Sequence, residues 1–177
     1  MRLVRFPANK DYSDFVGALA VSSAHGLRDG DAPTVAVVAG LLGGELDHEW
    51  ANVLDAVAFV TPTPARRPAG KPTQPPPIHT LLAPCRARNR VVAVTRRGVT
   101  LGGFPPGTPF SVFATPATAA VTVRGAAWPL RGARLRGASH GLHNRTARGG
   151  PTDVAVRGGV AVVVVRAADR SNGGGDW

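Results

Sequence analysis

Apolar and polar positions follow two different rhythms along the chain. TVAVVAGLL at 34–42 is apolar at nearly every position, as in a strand covered on both faces. Around it the spacing is helical. Phe15, Leu19 and Val21 recur up to a stop at His25-Gly26, with Ser13 or Asp11 placed to cap the start. Asp47 to Phe59 reads as a second helix with Trp50, Val53, Leu54 and Val57 on one side. With RLVRF at 2–6 as a short strand, the first sixty residues predict β-α-β-α, the pattern of a parallel sheet.

TPTPARRPAGKPTQPPP at 61–77 interrupts this pattern and reads as an extended linker or disordered loop. Beyond it the rhythm changes to short β-rich runs cut by Gly and Pro: NRVVAV, GVTL, PFSVFA, AAVTVRG and DVAVRGGVAVVVV. Such spacing predicts a β-sandwich or barrel. The expected organisation is therefore a partial parallel-sheet α/β domain over 1–60, the Pro-rich linker, and a β-sandwich over 78–167. The tail at 168–177 is expected to be disordered.

Composition changes this picture in three ways. A hydrophobic share of 44% is sufficient for a core, and 22 glycines with 16 prolines favour strands and turns over long helices. The net charge of +10 is mostly arginine, since Lys10 and Lys71 are the only lysines. These arginines are dispersed along the sequence, no basic run alternates with aromatics, and the expectation is no nucleic-acid partner. Cys85 stands alone, which excludes an internal disulfide. The longest apolar run, VAVVVV at 160–165, is too short to span a bilayer, so a cytoplasmic protein without a membrane partner is expected.

Polar chemistry gathers at two strand-to-helix turns, where ligands of open α/β sheets bind. One cluster is Lys10, Asp11, Ser13 and Asp14; the other is Asp47, His48 and Asn52. Carboxylates with a lysine and helix N-termini together suit a metal–phosphate ligand, while any one of these residues taken singly is better read as capping or surface solvation. In the β-rich half, Trp128 is either a core aromatic or a stacking platform, and Ser139, His143 and Asn144 stand in a glycine-rich turn.

In order, these pieces resemble the thiamine diphosphokinase (thiamine pyrophosphokinase) family. FPANKDYSD at 6–14 is similar to F-P-x-x-K-D-x-T-D, and AGLLGGELDHEWAN at 39–52 to G-x-x-G-G-R-x-D-H-x-x-A-N. GTPFSVFA at 107–114, GAAWPL at 125–130 and SHGLHN at 139–144 resemble G-x-x-x-S-L-x-P, G-L-x-W/Y-P-L and S-x-G-x-S-N.

The resemblance implies an α/β catalytic domain followed by a thiamine-binding sandwich, in a homodimer with sites between subunits. It implies transfer of a diphosphoryl group from ATP to the hydroxyl of thiamine, giving thiamine diphosphate and AMP, with Mg²⁺. By the same resemblance Asp14 is a Mg²⁺ ligand and Lys10 a phosphate contact, with Ser13 at the family threonine. Asp47 and His48 line the nucleotide side, with Asp47 among the catalytic groups, and Asn52 braces the helix. Trp128 packs on thiamine while Ser139 and Asn144 anchor its pyrimidine. The chain departs from the pattern at Glu45, which replaces an arginine, at His143, which replaces a serine, and at Ala126, which replaces a leucine. The family's G-D-x-D-S segment is expected upstream of Met1, so that Mg²⁺ rests largely on Asp14 and the chain alone is a poor kinase. The alternative is a non-catalytic thiamine-binding or dimerisation remnant.

Overall fold

The computed structural model describes residues 17–18, 34–61, 78–85, 90–135 and 138–166. The strand expected at 2–6, most of the first helix, the cluster Lys10, Ser13 and Asp14, the Pro-rich segment 62–77 and the tail lie outside the described residues.

The described elements are β1 (Thr34–Val37), α1 (Leu46–Val60), β2 (Ile78–Cys85), β3 (Arg90–Thr95), β4 (Gly98–Leu101), β5 (Pro109–Thr115), β6 (Ala120–Arg124), β7 (Leu130–Arg134), β8 (Asn144–Arg145), β9 (Thr152–Arg157) and β10 (Val160–Arg166). A 3-10 turn spans Ala138–Gly141. The strands form a six-stranded sheet, ordered β1-β2-β3-β10-β5-β8, and a four-stranded sheet, ordered β4-β9-β6-β7.

Of the expected α/β part, the described residues contain one parallel β1-α1-β2 unit, and the rest of the fold is mostly antiparallel. β1 and β2 are the only parallel neighbours among the described strands, and every other pairing is antiparallel. The apolar run from 34 was read as a strand covered on both faces, yet Val35 and Val37 are 52% and 66% exposed. Its position explains this: β1 is the last described strand at one edge of the sheet. β2 lies where the sequence pattern predicts no separate strand, and it carries Pro84 within it, a residue that a central position disfavours. β1 stops pairing at Leu82, so Pro84 has no β1 partner to deprive of a hydrogen bond.

The run VAVVVV is covered on both faces, and the packing shows why its apolar positions are continuous. Along β10, Val160 faces the core under α1, while Ala161, Val163 and Val165 face the core between the sheets. β3 divides likewise, with Val92 and Val94 toward the helix and Ala93 toward the second sheet. Phe110, Val112, Val121, Val123 and Val154 complete the inter-sheet core. Helix, long sheet and short sheet thus stack as three layers, and the two parts of the sequence on either side of the Pro-rich segment share one sheet and one core.

The helix also differs from its expected face. Trp50 and Leu54 are 63% and 51% exposed, while Glu49, Ala56 and Val60 are buried and Val53, Val57 and Phe59 pack against the core. The buried stripe is therefore centred on positions 49, 53, 56 and 60. It is turned toward Glu49 because that carboxylate has partners inside.

Candidate functional site

The loop from β1 to α1 is held from beneath by the helix that follows it. Gly43 donates its N–H to Glu49 Oε1 at 2.7 Å, and Asn52 Nδ2 donates to the Leu41 carbonyl at 2.9 Å. Glu49 is also paired with Arg90, Nη1 to Oε2, at 3.7 Å. Burying a carboxylate is costly unless it is paired and hydrogen-bonded in this way. Leu41 and Leu42 are buried, and Gly43 takes a φ of 109°, which a side chain would strain. The clamp fixes the entry to the helix while Glu45, Asp47 and His48 remain exposed.

These exposed groups stand at the helix N-terminus, whose partial positive charge favours anions. Asp47 Oδ1 already accepts the His48 N–H at 2.9 Å. Glu45 is the N-cap residue and makes no side-chain capping bond. The helix end thus carries its own carboxylates where a phosphate would otherwise be attracted, and the Gly43 N–H is committed to Glu49. Asn52, which the resemblance implied as a brace, does bond the loop backbone. Among the described residues, no group of three or more His, Cys, Asp or Glu side chains could hold a metal ion.

The second cluster lies at the β8 edge of the long sheet. Asn144, buried in β8, accepts the Trp128 N–H on Oδ1 at 3.2 Å and donates Nδ2–H to the Trp128 carbonyl at 2.7 Å. The same Oδ1 accepts the Arg145 N–H at 2.9 Å. One amide side chain therefore takes the place of a strand partner for the β6–β7 connection. The Trp128 side chain is left 58% exposed, which removes it from the core.

The turn before β8 depends on glycine. A Cβ at Gly141 would collide with the Val112 carbonyl oxygen. Ser139 belongs to the 3-10 turn, and His143 has the left-handed φ of 62°. Its N–H approaches Ser111 Oγ at 3.4 Å.

The fold brings Asp47, His48 and Asn52 together at the start of α1 and Trp128 and Asn144 together at β8. The helix that carries the first cluster packs over β2, β3 and β10, whereas Asn144 stands in β8 at the far end of the same sheet. Lys10, Ser13 and Asp14 lie outside the described residues. Sequence reasoning gave no role to Glu49 or Arg90. The signal was available: Glu49 shares a helical stripe with Val53, Ala56 and Val60, and an acid on an apolar stripe requires a partner.

Comparison with solved structures finds a similar fold in several thiamin pyrophosphokinases. The thiamin pyrophosphokinase from Geobacillus thermodenitrificans superposes with a TM-score of 0.63 at 19% identity, over 94% of this chain and 66% of that one. Thiamine pyrophosphokinase from Bacillus subtilis gives 0.63 at 14% identity, over 91% of this chain and 65% of that one. The Candida albicans thiamin pyrophosphokinase gives 0.53 at 12%, over 86% of this chain and 50% of that one. The chain thus spans just under two thirds of the length of the two bacterial structures. No protein-family model and no curated protein matches the sequence.

Proposed function

We propose that the protein is a thiamine diphosphokinase polypeptide. The observation that carries this reading is the agreement between a fold shared with thiamin pyrophosphokinases and five motif-like stretches in the same order along the chain. In this reading the hydroxyl oxygen of thiamine attacks the β-phosphorus of ATP. A new P–O bond forms, the bond from the β-phosphorus to the oxygen bridging to the α-phosphate breaks, and AMP leaves. Such transfer depends on alignment and charge stabilisation more than on covalent chemistry by the protein.

Asp47 and His48 line the nucleotide side, and Asn52 and Glu49 hold their loop. Trp128 meets the cationic thiazolium with its ring face, an arrangement that contributes roughly 0.5–2 kcal/mol. Ser139 belongs to the thiamine side. Asn144 acts there by fixing the Trp128 backbone, since its amide is committed to that loop. The described residues do not by themselves build a Mg²⁺ cradle. The ion is left to Asp14 and the ATP phosphates, with Lys10 and Ser13 beside them. The homodimer implied by the resemblance, with its sites between subunits, would bring one copy's nucleotide side to the other copy's thiamine side.

A non-catalytic thiamine-binding protein of this fold is the second reading. It is favoured by Glu45 standing with Asp47 at the helix end, where the resemblance calls for an arginine. Purified protein with ATP, Mg²⁺ and thiamine separates the two. Slow AMP release that requires thiamine is the expected result, in keeping with a poor kinase, and Asp47→Asn should reduce it. Thiamine binding without AMP release favours the second reading, and absence of both overturns the assignment.

A further inference from the structure

Arginines that stand far apart in the sequence converge on the outer face of the four-stranded sheet. The register sets the residues in rows. Thr100, Asp153 and Arg124 lie side by side, as do Gly98, Ala155 and Thr122, and then Arg157, Ala120 and Arg134. Alternation along the strands directs Val121, Val123, Val154 and Val156 into the core, so these rows face outward. The middle of the face is small: Ala120, Ala155, Thr122 and Gly132 floor a depression of about 420 Å³ bordered by Arg124, Arg157 and Asp153. A second depression of about 520 Å³ shares Thr122, Arg124 and Gly132 and adds Arg131. Arg124, Arg131, Arg134 and Arg157 are all exposed. Among the described residues none of the four is ion-paired with a carboxylate. The one acid on the face, Asp153, accepts the Thr100 hydroxyl at 2.7 Å.

We propose that this face binds the phosphate backbone of single-stranded nucleic acid without reading its sequence. Arg157 and Arg134 stand two strands apart, and Arg124 stands four residues along β6 from their row. These spacings are roughly 10 Å and 13 Å, within reach of successive phosphates of one extended strand crossing the face. Guanidinium groups present paired donors that match phosphate oxygens. Main-chain pairing is available at the edges of a sheet and not on its face. A ligand that carries its charge on the backbone itself therefore suits the trough better than an acidic peptide does. A second copy does not suit it, because a two-fold contact would set arginine against arginine. No aromatic side chain lines either depression, so the binding is electrostatic and steeply salt-dependent rather than a matter of base stacking.

The test uses the full chain and a labelled oligothymidylate long enough to span the trough, followed by fluorescence anisotropy across a salt series. The logarithm of affinity should fall with the logarithm of salt with a slope of about −3, as expected for four phosphate contacts to a single strand. Arg124→Glu combined with Arg157→Glu should lower affinity at least tenfold. Arg134→Gln alone should lower it severalfold and reduce the slope by roughly one contact. Arg148→Glu, on an exposed loop outside the trough, should change little. Circular dichroism checks that each variant folds, and the Arg134→Gln series decides the matter if the double variant does not. An equal loss in Arg148→Glu overturns the proposal, because attraction to net charge alone explains it. Equal or tighter binding of duplex DNA or polyglutamate overturns it, and so does self-association abolished by the trough substitutions. Failure of the wild-type chain to bind oligothymidylate at low salt also overturns it.

Discussion

The two candidate clusters solve the same problem with different chemistry. At the β1–α1 loop a buried carboxylate, Glu49, holds Gly43 and is balanced by Arg90. At the β6–β7 connection a buried neutral amide, Asn144, holds both backbone groups of Trp128. In each case one polar side chain is buried so that its neighbours, Asp47 and His48 or Trp128, stay exposed. The charged clamp carries a desolvation cost that its partners must offset, whereas the amide clamp needs only its hydrogen bonds. The second site therefore depends on geometry alone, and the first on charge as well.

The largest effect should come from the turn beneath the amide clamp. Gly141→Val drives a side chain into the Val112 carbonyl, and a loss of about 3 kcal/mol or more is expected in urea unfolding. Wild-type stability in this variant would mean that the turn does not set Asn144. Next comes Asn144→Ala, which leaves the Trp128 N–H and carbonyl and the Arg145 N–H without their partner. About 2–3 kcal/mol should be lost, and Asn144→Asp should recover little because it cannot donate to the carbonyl.

The charged clamp should respond less. Glu49→Ala is expected to cost about 1–2 kcal/mol, with Glu49→Gln nearer to wild type because it keeps an acceptor for Gly43. Equal losses in the two variants would assign the effect to charge rather than to the loop bond. The smallest effect belongs to β2, the strand beside β1. Burial, with Arg96 and Arg97 nearby, holds the His79 imidazole below its ordinary pKa. The folded state thus prefers neutral His79. Its contribution is complete above the unfolded value of about 6.5 and is lost as pH falls through the lower folded value. Thermal melts should show a mild loss of stability on acidification that His79→Gln flattens. A wild-type profile steepening toward alkali would contradict the sign.

Much of the β-rich half was legible because alternation and turns are local signals. β3, β4, β5, β6, β9 and β10 stand where short apolar runs are cut by Gly and Pro. β7 was missed because LRGAR has little apolar content, and β8 because it is two residues long. The clamps were harder to read. Asn144 offers no local clue that its amide faces Trp128, since 16 residues separate the partners. Glu49 was legible in principle from its helical stripe, but Trp50 and Leu54 supplied a competing apolar face. The arginine trough was not legible at all. Arg124, Arg134 and Arg157 become neighbours only through the pairing register of β6 with β7 and β9.

The central claim is that the amide clamp presents Trp128 to thiamine. Equilibrium titration of thiamine against the wild type, Trp128→Ala and Trp128→Phe, with a thermal melt of each, tests it most directly. Because the side chain is exposed, the melts should agree within about 0.5 kcal/mol. Removal of the ring should weaken binding roughly 2–30-fold, the equivalent of about 0.5–2 kcal/mol, with Trp128→Phe in between. Undiminished thiamine affinity in Trp128→Ala, or no thiamine binding by the wild type, would contradict the account.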